Sequence, residues 1–376
     1  MMNIGVLTSS RADFGIYLPL LKRLEKCPDV HYELIVFGTH LSATHGHTID
    51  YITQAGLTVK YRIVSMLQTD DPESIATAYA LTNLKFSGFW SEHKSEFDVV
   101  FCLGDRYEMA SAVNAGIPFG IRFAHLYGGE TTLGAIDNVY RHQISLASEF
   151  NYVSLEDYAN RVRDLVGKHV NCTVVGSLSM ENLAGMELKD IDEFARMWGI
   201  DMNIPTILIT IHPETVAYDK NHAYAAVIFD TISELVRSFQ LVITMPNADT
   251  NGMLYRRVFN ELYKQSPSRV FLIESFGTEG YFSCMKHCSM LLGNTSSGII
   301  EAASFGKYVV NIGDRQKGRI AGDNVLNVSF NKDEIISMVK SLRNKRFDGV
   351  NIYWKEQPSK LILDDLLMKY KFTWGD

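Results

Sequence analysis

Short β-branched runs alternate with longer stretches of helical periodicity along this chain, and the alternation occurs twice. "NIGVLTS", "YELIVFG", "VVFCLG", "FGIRFAHL" and "NYVSL" read as buried strands in the first half, with patterns such as "GIYLPLLKRLEK" between several of them. Apolar strands joined by helices need crossover connections, so the sequence predicts a mostly parallel sheet with helices on both faces. A second series follows "VNCTVVGSLSMENL": "TILITIH", "QLVITMPN", "RVFLIES", "SMLLGN" and "YVVNIG", separated by "NHAYAAVIFDTISELVRSF" and "SGIIEAASFG". At 376 residues the chain exceeds what one hydrophobic core serves. The expected architecture is α/β, with two Rossmann-like doubly wound domains at 1–170 and 171–357 and a C-terminal helix at 358–376 packing back on the first. The boundary falls near residues 168 to 185 without a Gly/Ser- or Pro-rich linker, which predicts domains meeting closely across a cleft.

Composition narrows the function classes. Net charge is −7 with no basic block, which argues against a nucleic-acid partner. No apolar run approaches the roughly 18 residues that span a bilayer, and no basic segment precedes an apolar one at the start, so no membrane partner and a cytoplasmic location are expected. Five scattered cysteines read as reduced thiols; Cys284, His287 and Cys288 lack the paired spacing of a zinc site.

Open parallel sheets bind ligands beyond the carboxyl ends of their strands. Five such ends carry polar clusters here: "TSSRADFG", "GDRYE", "HLYGGETTLGAIDNVYRHQIS", "HPET" and "GNTSSGIIE". In the last, small hydroxyl residues and Gly298 precede a helical pattern, where free backbone N–H groups suit an anionic phosphate. Thr295, Ser296 or Ser297 serve equally well as a simple N-cap. Glu301, one turn on, is placed to accept both hydroxyls of a ribose. Downstream, "NIGDRQKGR" offers Arg315, Lys317 and Arg319, of which the arginines hold phosphate oxygens bidentately. In the third cluster Asp137 and Arg141 are spaced i,i+4, which fits either a surface helix salt bridge or a catalytic pair.

Taken in order, "SRADFG", "LGDRYE", "HLYGGE" with "IDNVYRH", "HPET", "PNADT", "GNTSSGIIE" and "GDRQKGR" resemble the hydrolysing UDP-N-acetylglucosamine 2-epimerases of bacterial sialic-acid synthesis, from residue 3 to about 325. The resemblance implies a glycosyltransferase-B type fold with the active site in the interdomain cleft, UDP held mainly by the second domain and the sugar facing the first. Carried over by position, it implies that Arg11 and Gly15 approach the diphosphate, that Arg106, His212 and Arg315 face phosphate or sugar, and that Thr295, Ser296 and Gly298 cradle phosphate. It places Asn247 along the site, Glu301 on the uridine ribose and Phe276 beside the uracil. Acid–base groups are expected at Asp105, Glu130 and Asp137, with Arg141, His142 and His212 completing the catalytic set. Many relatives carry glutamate where this chain has Tyr127, and a phenol of ordinary pKa near 10 is a poor base at pH 7.

The implied chemistry explains the charge. No carbonyl acidifies C2 of an N-acetylhexosamine, so UDP departure must precede or accompany proton loss. Arginines stabilise the leaving diphosphate, carboxylates stabilise the cation developing at C1, and a base then removes the C2 proton to give 2-acetamidoglucal. Water adds, a proton returns to the opposite face, and N-acetylmannosamine and UDP leave. Arg141 is expected to hold Asp137 ionised. Neither metal nor cofactor is required. The partners implied are the UDP-sugar substrate, the UDP product and further copies of the chain as a dimer or tetramer. Alternatives are the same reaction on UDP-N,N'-diacetylbacillosamine in a legionaminic-acid pathway, a non-hydrolysing 2-epimerase, a glycosyltransferase of the same fold, and an inactive nucleotide-sugar binder.

Overall fold

The computed structural model describes residues 1–42, 47–67, 71–214, 216, 218–246 and 252–374. Two compact units emerge. The first comprises Met1–Glu130, Asp137–Ala184 and Tyr353–Asp376, and the second Thr131–Ile136 and Gly185–Ile352.

In the first unit the order is β1 (Met2–Thr8), α1 (Arg11–Glu25), β2 (Val30–Phe37), α2 (Ile49–Gln54), β3 (Val59–Ile63), α3 (Pro72–His93), β4 (Val99–Leu103), α4 (Tyr107–Gly116), β5 (Phe123–Leu126), α5 (Asp137–Ala147), β6 (Ser148–Val153), α6 (Glu156–Val166), β7 (Asn171–Val174) and α7 (Leu178–Ala184). The seven strands form one parallel sheet, β3-β2-β1-β4-β5-β6-β7. Strand order reverses between β1 and β4, opening a crevice beyond their carboxyl ends. Period-two alternation feeds a core on each face: Ile4 and Val6 join Leu20 and Leu24 of α1, while Leu7 and Ile35 join Phe86, Phe89 and Trp90 of α3. β7 pairs with β6, so the chain passes to the second unit after Ala184 and not at residue 170. Among the described residues this edge strand pairs on one side, and it is exposed at Asn171 and half-buried beyond, so its run reads weakly in the sequence.

The second unit runs α8 (Ile191–Trp198), β8 (Thr206–Thr210), α9 (Asn221–Leu235), β9 (Gln240–Thr244), α10 (Gly252–Gln265), β10 (Val270–Ile273), α11 (Gly277–His287), β11 (Met290–Gly293), α12 (Ser296–Ile300), β12 (Val309–Ile312), β13 (Val325–Val328) and α13 (Lys332–Ser341). Its parallel sheet, β10-β9-β8-β11-β12-β13, repeats the ordering of the first and reverses between β8 and β11. Ile207 and Ile209 of β8 pack with Ile228 and Ile232 of α9 and with Ile335 and Val339 of α13.

The chain then returns to the first unit, where α14 (Pro358–Trp374) packs on α1 and α7. Glu181 accepts hydrogen bonds from Ser359 N and Oγ (both 2.7 Å), which places a carboxylate at the positive end of α14. Arg23 Nε donates to Ser359 Oγ (2.6 Å) and closes the junction. Cys27, Cys102, Cys172, Cys284 and Cys288 are free. Among the described residues no helix is long and apolar enough to cross a membrane.

Candidate active site

In the first unit the polar residues gather beyond β1, β4 and β5. Ser10 caps α1, and Asp13 is buried beneath it, accepting from Ser9 N (3.0 Å) and Ser9 Oγ (2.6 Å). Burial raises the Asp13 pKa against these hydrogen bonds and the nearby Arg106 charge. Arg11 is exposed at the first turn, with its guanidinium 5.8 Å from the Tyr51 ring centroid. Gly15 faces open space, and its carbonyl accepts from Asn182 Nδ2 (2.8 Å).

After β4, Gly104 turns with φ +80° and sets Asp105 and Arg106 before α4. The fully buried Glu108 pairs with Arg106 (2.8 Å) and raises its pKa, leaving the guanidinium partly exposed. The Gly104 carbonyl is held by His125 Nε2 (2.8 Å), and Ser145 Oγ lies 3.0 Å from Nδ1. A carbonyl only accepts, so Nε2 carries the proton and Nδ1 accepts from the serine. Burial pushes the His125 pKa down to about 3.

After β5 the chain passes through Tyr127 at φ +66° and Gly129 at φ +73°. A Cβ on Gly128 would meet Ser145 Oγ at 2.9 Å, and one on Gly129 would meet the Tyr158 carbonyl at 2.3 Å, so the glycine pair is sterically required. Glu130 follows, 1% exposed, accepting from Ser154 Oγ (3.4 Å).

Arg141, 3% exposed, organises this cluster. Its Nη1 donates to the Tyr127 carbonyl (2.7 Å) and lies 3.6 Å from Glu130 Oε2, while Nη2 donates to Asp105 Oδ2. The spacing rule predicted Asp137 as its partner. Its ion pairs with Asp105 and Glu130 arise because Arg141 points inward from α5 toward the ends of β4 and β5; Asp137 begins that helix, close enough to Arg106 to raise the pKa of Arg106. His142 is half-buried, and desolvation, followed by the charges of Arg141 and Arg161, lowers its pKa.

In the second unit the loop after β8 is held by two asparagines. Asn294 accepts from His212 N (2.7 Å) and donates to His212 O (2.9 Å); Asn221 does the same for Glu214 (3.1 and 2.9 Å). Glu214 Oε1 accepts from Asp314 N (2.6 Å), and Arg315 Nη1 donates to the Pro213 carbonyl (2.5 Å). The "HPE" stretch thus fixes the arginine-bearing loop after β12. Gly313, at φ +74°, has no room for a Cβ, which would lie 2.3 Å from the Phe330 ring and 2.4 Å from Glu214 Oε1. Thr131–Ile136 belong to this unit: Leu133 N donates to Lys317 O (2.8 Å), and a Cβ on Gly134 would meet the Asp314 carbonyl at 2.4 Å.

Thr295 caps α12 through Ser297 N (3.4 Å). That helix is only five residues long, so it offers an anion its N–H groups more than an accumulated dipole. Ser296 and Gly298 lie in its first turn, and Gly298 lets the helix approach Val309 of β12. Glu301 ends the helix, 5% exposed. Phe276 packs with Phe194 (5.6 Å between ring centroids) and Trp198 (5.3 Å, edge-on). Tyr281 of α11 brings its buried hydroxyl near Thr210, Ser297 and Glu301, a placement that a lone tyrosine in "TEGYFS" gave no sign of. Asn247 lies outside the described residues. Among the described residues no group of three His, Cys, Asp or Glu is arranged to hold a metal.

The profile of the UDP-N-acetylglucosamine 2-epimerase family matches residues 22–367. A polysialic acid biosynthesis protein, P7, of Escherichia coli is 30% identical over 361 residues, 95% of this chain and 91% of that protein. The hydrolysing UDP-N,N'-diacetylbacillosamine 2-epimerase of Legionella pneumophila is 33% identical over 342 residues, covering 90% and 88%. The crystal structure of UDP-GlcNAc 2-epimerase from Neisseria meningitidis bound to UDP-GlcNAc superposes with a TM-score of 0.81 at 18% identity, covering 98% of this chain and all of that one, which confirms a glycosyltransferase-B type fold. A family profile spanning most of the chain and full-length relatives at this identity agree with the doubled Rossmann order, and the chain belongs to the UDP-N-acetylglucosamine 2-epimerase family.

Proposed function

We propose that this enzyme is a hydrolysing 2-epimerase that converts UDP-N-acetylglucosamine to N-acetylmannosamine and UDP for nonulosonic (sialic) acid synthesis. The observation that carries the reading is the Arg141 cluster: one buried guanidinium engages Asp105 and Glu130, carboxylates that follow different strands. Elimination and re-addition at C2 need proton-transferring groups on two faces of the sugar, together with negative charge near the cation developing at C1. Asp105, Glu130 and Asp137 supply these in the first unit. In the second, Arg315 and the N–H groups at Ser296–Gly298 bind the diphosphate, and Glu301 binds the ribose. His212, with its backbone clamped, faces phosphate or sugar. The route moves protons and no hydride.

The polysialic acid assignment of the Escherichia coli relative and the UDP-GlcNAc bound to the Neisseria structure support this substrate. The Legionella relative acts with hydrolysis on UDP-N,N'-diacetylbacillosamine, which supports a second reading in which the same steps act on that sugar. Parallel reactions with each nucleotide sugar in D₂O and in H₂¹⁸O separate the options. The expected products are free UDP and an epimerised free sugar with deuterium at C2 and ¹⁸O at C1. Sugar that stays on UDP as an equilibrium mixture marks a non-hydrolysing enzyme. ¹⁸O at C1 with C2 undeuterated and unepimerised marks a simple hydrolase, and no free hexosamine without an acceptor marks a transferase.

A further inference from the structure

Beside the acid–base cluster sits a strained aromatic residue. Tyr127 has φ +66°, in the left-handed region that bulky side chains disfavour and glycine adopts at no steric cost. Its surroundings hold it there at every polar group. The N–H donates to the Tyr152 carbonyl (3.0 Å). The ring is buried in the core that includes Val175 and Leu178. The hydroxyl lies 2.8 Å from Ser177 Oγ and accepts from Ser179 N (3.4 Å) at the first turn of α7, and Ser177 Oγ is 2.8 Å from Ser179 Oγ. The carbonyl accepts from Arg141 Nη1 (2.7 Å). The side chain is thus committed to α7, and the backbone is turned to Arg141.

We propose that Tyr127 is a positioning residue: its anchored ring maintains a left-handed turn that presents its carbonyl to Arg141 and so sets the guanidinium between Asp105 and Glu130. Arg141 is buried, and its partners include the Tyr127 carbonyl, Asp105 and Glu130. Among these the carbonyl is the neutral one, fixed by backbone geometry. If the turn relaxes toward negative φ, the carbonyl swings away and the guanidinium rotates, altering its distance to both carboxylates together. In this role the phenol touches neither substrate nor proton in transit, and tyrosine is no stand-in for a carboxylate base.

The proposal rests on the epimerase reading for its turnover arm only. Tyr127→Phe keeps the ring and removes the hydroxyl anchor; Ser177→Ala removes the other half of the same bond. Both are expected to lower kcat about 10- to 100-fold, the scale of a misplaced catalytic group, with UDP affinity by calorimetry held within about twofold. The double variant is expected to lose less than the two single losses combined, because both singles cut the Tyr127–Ser177 link. The ¹⁵N–¹H guanidinium signal of Arg141 in the UDP-free enzyme, assigned by its loss in Arg141→Lys, is expected to shift in both variants. Turnover within about twofold of the parent and an unmoved Arg141 signal would overturn the proposal. So would a large loss in Tyr127→Phe with Ser177→Ala at parental turnover and the signal unmoved, which would place the hydroxyl on the substrate. An enzyme that turns over neither nucleotide sugar defeats the epimerase reading, and the Arg141 signal alone then decides the proposal.

Discussion

Arg141 and Arg315 are both half of a motif in the sequence, yet their tasks separate cleanly by what they touch. Arg315 is anchored through Nη1 to the Pro213 carbonyl, which fixes the place of its guanidinium beside the loop after β8. Arg315→Ala should weaken UDP binding by about 1.5 to 3 kcal/mol, the value of a charge-assisted hydrogen bond, as read by calorimetry. Glu130→Gln and Asp137→Asn keep shape but remove ionisation; each should lower turnover by about 10²- to 10⁴-fold while UDP binds normally. Equal losses of UDP affinity in all three variants would contradict this division. The buried histidines predict a pH effect on stability. Burial lowers the pKa of His125 to about 3 and that of His40 to about 4. The unfolded chain, with ordinary values near 6.5, therefore binds more protons than the native one between about pH 6.5 and pH 4. Their contribution is complete above the unfolded value and lost as pH falls toward the folded one, at up to about 1.4 kcal/mol per pH unit for each histidine. Urea midpoints at pH 7 and pH 5 check this: the native chain should lose stability over that interval, and His40→Asn should lose less.

The strands and their carboxyl-end clusters were the legible part of the sequence, because period and turn chemistry are local. Asp105, Glu130 and Arg141 were legible as polar residues at strand ends, but their pairing was not. The i,i+4 rule assumes a helix in solvent, and α5 instead directs Arg141 into the protein, where carboxylates after β4 and β5 pair with it. The packing of Phe276 against Phe194 and Trp198 was illegible for a related reason, since both partners are distant from it in sequence. The two asparagine clamps were invisible, since nothing in "NHAYAA" shows that Asn221 will fold back on Glu214 of the loop before it, and nothing in "GNTSS" that Asn294 will pair with the backbone after another strand. Asn294 is 1% exposed, and its replacement by alanine removes its hydrogen bonds to the N–H and C=O of His212. Two lost buried hydrogen bonds should cost about 2 to 4 kcal/mol. Asn294→Ala should accordingly lower the denaturation midpoint and reduce turnover, and a variant with unchanged melting would show that the clamp carries no weight.

At the scale of the molecule, the first unit is built from both ends of the chain. Residues from Tyr353 onward supply Tyr353, whose hydroxyl lies 2.8 Å from that of the buried Tyr158, and α14, whose Ile362, Leu363 and Leu366 join the core of α1. Removing residues 353–376 should therefore damage the first unit while leaving the sheet of the second intact. Limited proteolysis of the truncated chain should cut before Ala184 and spare 185–352; equal resistance of both would refute it. The same detour has a consequence for biosynthesis. A ribosome delivers the seven-stranded sheet of the first unit well before it delivers the helix that packs on α1 and α7, with Gly185–Ile352 of the second unit translated in between. During that interval the apolar side of α1 waits for α14. At roughly 5–20 residues per second the 168 residues of Gly185–Ile352 occupy about 8 to 34 s, so the nascent chain is most exposed to aggregation, and most in need of a chaperone, after its first unit has emerged and before its last helix has.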